Sequence, residues 1–178
     1  LGTNASVVAM LRNRVDFLAG NDGGASLLGP LREFAAMGVQ GVVFGFLQAD
    51  GQLDWDSNRR LLEVAKEHDL EVVFHRAIDA ASDPLLIAAQ LQELQFDRVL
   101  SAGGAGTILE GSEAFLRMRA QSPKLNWMPG GGVRGENVIQ LLEMLQPTDI
   151  HSSAGGDPSE VERLVGLCGS IGGFQQEV

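Results

Sequence analysis

The stretch Glu71-Val72-Val73-Phe74-His75-Arg76-Ala77-Ile78-Asp79 decides the fold. Val72, Val73 and Phe74 are β-branched or aromatic in succession, which suits a strand covered on both faces, as in parallel sheets. The abrupt switch to His75-Arg76 ends that strand and carries both polar groups to its C-terminal end. A helical pattern follows. Asp83 and Pro84 form an N-cap and first-position pair, and Leu85, Leu86, Ala88, Ala89 and Leu91 recur at helical spacing. A strand followed by a helix is a βα unit, and the same pattern repeats in both directions along the chain.

Working outward, strands are expected at Val7 to Leu11, Gly41 to Leu47, Glu71 to His75, Arg98 to Ser101, Leu125 to Met128 and Asp149 to Ser152. Between them, Leu27, Leu28, Leu31, Phe34 and Ala35 mark a first helix. Leu61, Leu62, Val64 and Ala65 mark a second, with Ser57 as its expected N-cap. Further helices are expected over Gly111 to Ala120, over Glu136 to Leu145 after Gly135 and before Pro147, and over Asp157 to Leu167 ahead of a Gly-rich end. Strand starts recur about every 30 residues, the spacing of a TIM-type (β/α)8 barrel. A doubly wound sheet would carry its Gly-rich fingerprint after the first strand, whereas the Gly clusters here follow later strands. The expected fold class is therefore α/β, a single partial TIM-barrel domain over residues 1–178. It comprises six βα units (about 7–155) and a C-terminal helix and tail (156–178). Two units, about 60 residues at this repeat, are missing from a complete barrel, most simply at the N-terminus. Leu1 is not an initiator methionine, which agrees with a chain that begins inside a longer protein.

Thirteen Lys and Arg against 23 Asp and Glu give 178 residues a formal charge of −10. That is the wrong sign for wrapping a phosphate backbone or docking on anionic lipid, so neither nucleic acid nor a membrane is an expected partner. The one cysteine, Cys168, can form neither an internal disulfide nor a multi-cysteine zinc site, and this points to a cytoplasmic location.

In a barrel of this type the chemistry sits where strands end and βα loops begin. His75, Arg76 and Asp79 are the candidate catalytic group, with His75 as general acid or base. The alternative is an Arg76–Asp79 ion pair that fixes the loop, with His75 hydrogen-bonded inside the barrel. Arg12 and Arg14 leave a strand at i and i+2, on one side, and are candidate anion ligands. So are Ser101, Gly103 and Gly104, the run Gly130, Gly131 and Gly132 ahead of a helix, and His151 with Ser152. If the missing units are N-terminal, the last two loops follow strands seven and eight, where this fold often holds a phosphate. The glycines also suit ordinary tight turns. A Ser153–His151 nucleophile pair lacks any orienting group or nucleophile elbow.

The ordered series Arg12-Asn13-Arg14-Val15-Asp16-Phe17, Gly41-Val42-Val43-Phe44-Gly45, Asp50-Gly51, Phe74-His75-Arg76-Ala77-Ile78-Asp79, Ser101-Ala102-Gly103-Gly104, Gly131-Gly132-Val133-Arg134 with Asn137, and His151-Ser152-Ser153-Ala154 resembles the CutC copper homeostasis family, the TIM-barrel type and not the choline lyase of that name. The resemblance implies a barrel that contributes to intracellular copper handling, with copper(I) as the ion concerned. The family's two strands before the arginine motif, and the cysteines proposed in some relatives to bind copper, fall outside this sequence, which leaves the metal site unassigned. The family pattern here is closer to Arg-Pro-Arg-Gly-Gly-Asp-Phe; Asn13 replaces the proline, and Val15 stands for the Gly-Gly pair, one residue short.

Three functions compete. One is copper homeostasis with direct copper binding. The second is an enzyme acting on a small phosphorylated or carboxylated metabolite through an anion-binding rim pocket. The third is a partial barrel whose open sheet edges pair in a homo-oligomer. Whether the chain is an enzyme is left open by the residues alone.

Overall fold

The computed structural model describes residues 6–170. Of the Gly-rich end expected after Leu167, residues 168–170 continue the last helix, and the remainder from 171 onward lies outside the described residues. Five strands, β1 (Val8–Met10), β2 (Gly41–Phe44), β3 (Glu71–Phe74), β4 (Arg98–Ser101) and β5 (Asn126–Pro129), form one parallel sheet in sequence order. Six helices follow the strands: α1 (Leu28–Ala36), α2 (Trp55–Glu67), α3 (Pro84–Leu94), α4 (Ile108–Gln121), α5 (Val138–Leu145) and α6 (Pro158–Ser170). This alternation around a parallel sheet is an α/β fold of the TIM type. Among the described residues, no helix is long and apolar enough to cross a membrane.

The sheet has two chemically distinct faces. Val42, Phe44, Val72, Phe74, Val99 and Trp127 are buried in the main core with Leu31, Leu61, Ile87, Leu91, Phe115, Leu141 and Leu145 from the helices. Phe96 locks two strands together, its ring edge-on to Phe44 at 5.5 Å and to Phe74 at 5.4 Å. The alternate residues Val43, Val73, Leu100 and Met128 point to the opposite face, which is the barrel interior, as the period of two requires. At the N-terminal end of that inner face Arg98 joins Glu71 at 2.8 Å and Asp149 at 3.3 Å, while Asn126 donates to Asp149 at 2.7 Å. β1 pairs with β2 alone.

Several boundaries differ from the sequence reading. Asp149 to Ser152 forms no strand. Only His151 bridges to Gly130, in parallel, next to a segment opened by Pro147, which has no N–H to give. The second strand stops at Phe44, after which Leu47 pairs antiparallel with Leu53 in a small side ribbon. That ribbon sets the start of α2, so the N-cap is Asp54, whose carboxylate accepts the Ser57 N–H; Ser57 itself lies inside the helix. α4 starts three residues earlier than the Gly111 expected, because Thr107 and Glu110 close a capping box. α5 begins at Val138 behind Asn137, not at Glu136 behind Gly135. Asp83 caps α3 with Pro84 at the first position, as the sequence indicated.

Candidate functional site

His75 closes β3, and its backbone enters a 3-10 turn over Arg76–Ala80. The imidazole Nδ1 accepts the Ala77 N–H at 3.2 Å and so caps that turn. The turn swings Asp79 back beneath Arg76. Asp79 Oδ2 takes Arg76 Nε at 2.6 Å, and Oδ1 takes the Ser101 hydroxyl at 2.6 Å and the Gly104 N–H at 3.1 Å. The Ala102 N–H donates to both oxygens, at 3.1 and 3.0 Å. One nearly buried carboxylate thus binds the loop after β3 to the loop after β4, and its charge is matched by Arg76 and by converging donors. Gly103 completes the turn. Its N–H reaches Ser101 Oγ at 2.8 Å, and a Cβ there would sit 1.9 Å from the Gly111 carbonyl of α4.

Arg76 is held from two sides, since its Nη2 also donates to the Ala105 carbonyl at 2.9 Å. Nη1 has no hydrogen-bond partner among the described residues. It lies where the loop after β5 comes closest: a Cβ on Gly131 would be 3.3 Å from Nη1 and 3.0 Å from the Ala102 Cβ. Gly131 has a φ of +115°, a conformation open to glycine and strained for any other residue. Gly130 is squeezed between Leu100 and His151, at 2.5 and 3.1 Å from its virtual Cβ. Gly132, Val133, Ser152 and Ser153 have backbone N–H groups with no acceptor among the described residues. The Ser152 hydroxyl donates to the Val133 carbonyl at 2.8 Å and so couples the two loops. Arg134, which the sequence reading had not singled out as a ligand, stands 3.5 Å from Ser152 Oγ and 3.4 Å from Ser153 Oγ. At the rim, desolvation of the His151 imidazole followed by the Arg76 charge pushes its pKa down.

The loop after β1 is arranged differently. Arg14 is spent on Asp16 through two bonds of 2.8 and 2.7 Å, which holds the Asp16 carboxyl down at about 2. Arg12 reaches back to the Arg14 and Val15 carbonyls and stacks on Phe17, 5.0 Å from the ring centroid. Phe17 in turn packs on His75 with ring centroids 5.3 Å apart. Arg12 and Arg14 therefore leave the strand together but serve different partners. His75 is buried, and burial first, then the Arg12 charge, pushes its pKa down to about 4. Neither Asp79 nor Arg76 sets that value. Phe17 is the contact the sequence reading missed; an aromatic placed one residue after Asp16 in a polar loop was its only signal.

The structure thus gathers Arg76, Asp79, Ser101, Gly103, Gly104, Gly131 and His151 at one rim. His75 with Arg12 forms a flanking layer, and Arg14 is turned away into its own ion pair. Two surface depressions lie elsewhere, one over Arg12 to Val15 and one between α4 and β5 beside Arg119 and Trp127. Both are open and lack the convergent donors of the Arg76 rim.

The CutC family profile matches residues 2–156. A CutC family protein of Aliivibrio fischeri is 34% identical over 149 residues, which cover 83% of this chain and 60% of that protein. The human copper homeostasis protein cutC homolog is 34% identical over 150 residues, covering 83% of this chain and 54% of its own length. The chain therefore spans little more than half the length of these relatives. In three dimensions it is similar to the CutC protein of Streptococcus agalactiae, with a TM-score of 0.75 at 24% identity over 82% of this chain and 71% of that one. A lysine-bound DHDPS from Cyanidioschyzon merolae shares the fold at a TM-score of 0.60 and 16% identity, covering 91% of this chain and 60% of that one. On the profile match over residues 2–156, this chain belongs to the CutC family.

Proposed function

We propose that this chain acts in copper homeostasis through a rim that binds a small phosphorylated or carboxylated molecule. The observation that carries this reading is the Arg76 guanidinium. Two of its nitrogens are anchored on Asp79 and Ala105, and the third, Nη1, is left beside Gly131 without a partner among the described residues. A guanidinium fixed in place with a spare donor is the chemistry that recognises an oxyanion. The unbonded N–H groups of Gly132, Val133, Ser152 and Ser153 are further donors on the adjoining loops. The copper part of the reading is supported by the family and by the name of the human relative.

Copper(I) enters here as cargo, and the described residues do not fit it. Copper(I) prefers sulfur. Cys168 is half-buried on α6, where burial raises its thiol pKa, away from the thiolate that ligates metal. Among the described residues, no three His, Cys, Asp or Glu side chains are grouped to hold an ion.

Calorimetric titration with inorganic phosphate tests the rim. Wild type is expected to bind at millimolar concentration or below, and Arg76→Gln to bind at least about tenfold more weakly, the loss of one charged hydrogen bond. Equal binding by the two proteins, or none by wild type, overturns the reading.

A further inference from the structure

We propose that His75 is a binding residue of this rim, a neutral imidazole whose Nε2–H is offered to a carbonyl or carboxylate oxygen of the molecule whose anionic group Arg76 holds. The inference deepens the rim reading and rests on it. It narrows the ligand from any small anion to one that carries a second, acceptor oxygen a few bonds from its phosphate or carboxylate.

The tautomer follows from one hydrogen bond. Nδ1 accepts the Ala77 N–H at 3.2 Å, and a ring nitrogen that accepts carries no proton, so the proton of the neutral ring is on Nε2. Nε2 makes no hydrogen bond among the described residues. It is also absent from the fully enclosed polar atoms that lack a partner, which are Arg98 Nε and Ser122 Oγ. A residue only 5% exposed therefore carries an N–H with no acceptor among the described residues. Buried donors are nearly always satisfied, by protein, water or ligand.

The surroundings fix the ring and keep it neutral. Val73 and His75 lie on the inner face of the sheet by their alternation, and Arg76 opens the turn that follows at the same strand end. Gly45 on the neighbouring strand end leaves the ring its place, since a Cβ there would be 3.0 Å from Nδ1. Phe17 covers the ring, and Arg12 lies over Phe17. The charged group that bears on His75 is Arg12 across Phe17; the Asp79 carboxylate is turned onto Arg76 and Ser101. Buried, with the Arg12 cation nearby and the Asp79 carboxylate engaged, the ring stays uncharged at neutral pH. It donates one hydrogen bond through Nε2 and disfavours a cationic group at that position.

Three probes test this by calorimetry: inorganic phosphate, phosphoglycolate and phosphoethanolamine. Wild type is expected to bind phosphoglycolate about tenfold tighter than phosphate and to gain nothing from phosphoethanolamine. His75→Phe should bind phosphoglycolate no tighter than it binds phosphate. His75→Gln, with an amide donor of similar reach, should recover part of the phosphoglycolate advantage. Nitrogen-15 NMR of the wild-type imidazole should report the proton on Nε2 from pH 8 down to about pH 5. A proton on Nδ1, or an advantage that survives in His75→Phe, overturns this inference and leaves the rim reading standing. Absence of phosphate binding in wild type overturns both.

Discussion

Arg76 Nε and Asp79 Oδ2 meet at 2.6 Å, three residues apart, inside the 3-10 turn that joins β3 to α3. The carboxylate is nearly buried and the guanidinium about one-third exposed, so the pair is shielded on one side and solvated on the other. Replacing Asp79 by Asn puts an amide N–H₂ among donors that converge from Arg76, Ser101, Ala102 and Gly104. We expect Asp79→Asn to lower stability by about 2 kcal/mol. Phosphate binding should weaken as Arg76 loses its anchor. Denaturant unfolding reads the first effect and calorimetry the second; a variant with wild-type values in both contradicts the role given to Asp79.

Gly131 and Gly155 separate a site effect from a turn effect. Both have positive φ, +115° and +62°, but only Gly131 is crowded, by Ala102 and Arg76. Gly131→Ala is expected to lower stability by about 2 kcal/mol and to abolish phosphate binding. Gly155→Ala, with open space around it, should lower stability by about 1 kcal/mol and leave phosphate affinity within about twofold.

The depressed pKa of His75 makes stability depend on acid. The folded imidazole titrates at about 4 and the unfolded one near 6.5. Between these values the unfolded chain binds the extra proton, so stability is lost as pH falls from about 6.5 to about 4. The difference in unfolding free energy between wild type and His75→Gln should therefore move against wild type by about 3 kcal/mol between pH 7 and pH 4. Parallel stability curves for the two proteins would contradict a neutral, desolvated His75.

Thr107 reports on packing behind the rim. Its hydroxyl accepts the Glu110 N–H at 3.3 Å, and the Glu110 carboxylate accepts the Thr107 N–H at 3.1 Å. Thr107→Ala is expected to lower stability by about 1 kcal/mol and the melting temperature by about 3 °C, while Thr107→Ser stays near wild type.

The strands β2, β3 and β4 begin at Gly41, Glu71 and Arg98, where the sequence reading placed them, because the apolar runs that follow those residues mark buried parallel strands. The Asp83-Pro84 start of α3 was equally legible. The 3-10 turn after His75 was not, since five residues carry no helical period. Choosing between Asp54 and Ser57 as N-cap depends on the Leu47–Leu53 pairing, a tertiary contact no local pattern contains. The capping box of α4 is present in the sequence as Thr107 and Glu110, ahead of the apolar period that points to Gly111. At the site, positions after strands identified Arg76, Asp79 and Ser101, but side-chain commitments were hidden. That Arg14 spends its charge on Asp16, and that Phe17 bridges Arg12 to His75, follow from how one loop folds.

Amide NMR mapping of an inorganic phosphate titration tests the central claim, that the Arg76 rim is an oxyanion site. The account predicts saturable shifts at Gly131, Gly132, Val133, Ser152 and Ser153, lost in Arg76→Gln, with residues 12–16 unmoved. Shifts confined to Arg12 and Arg14, or none at the two glycine-rich loops, would contradict it.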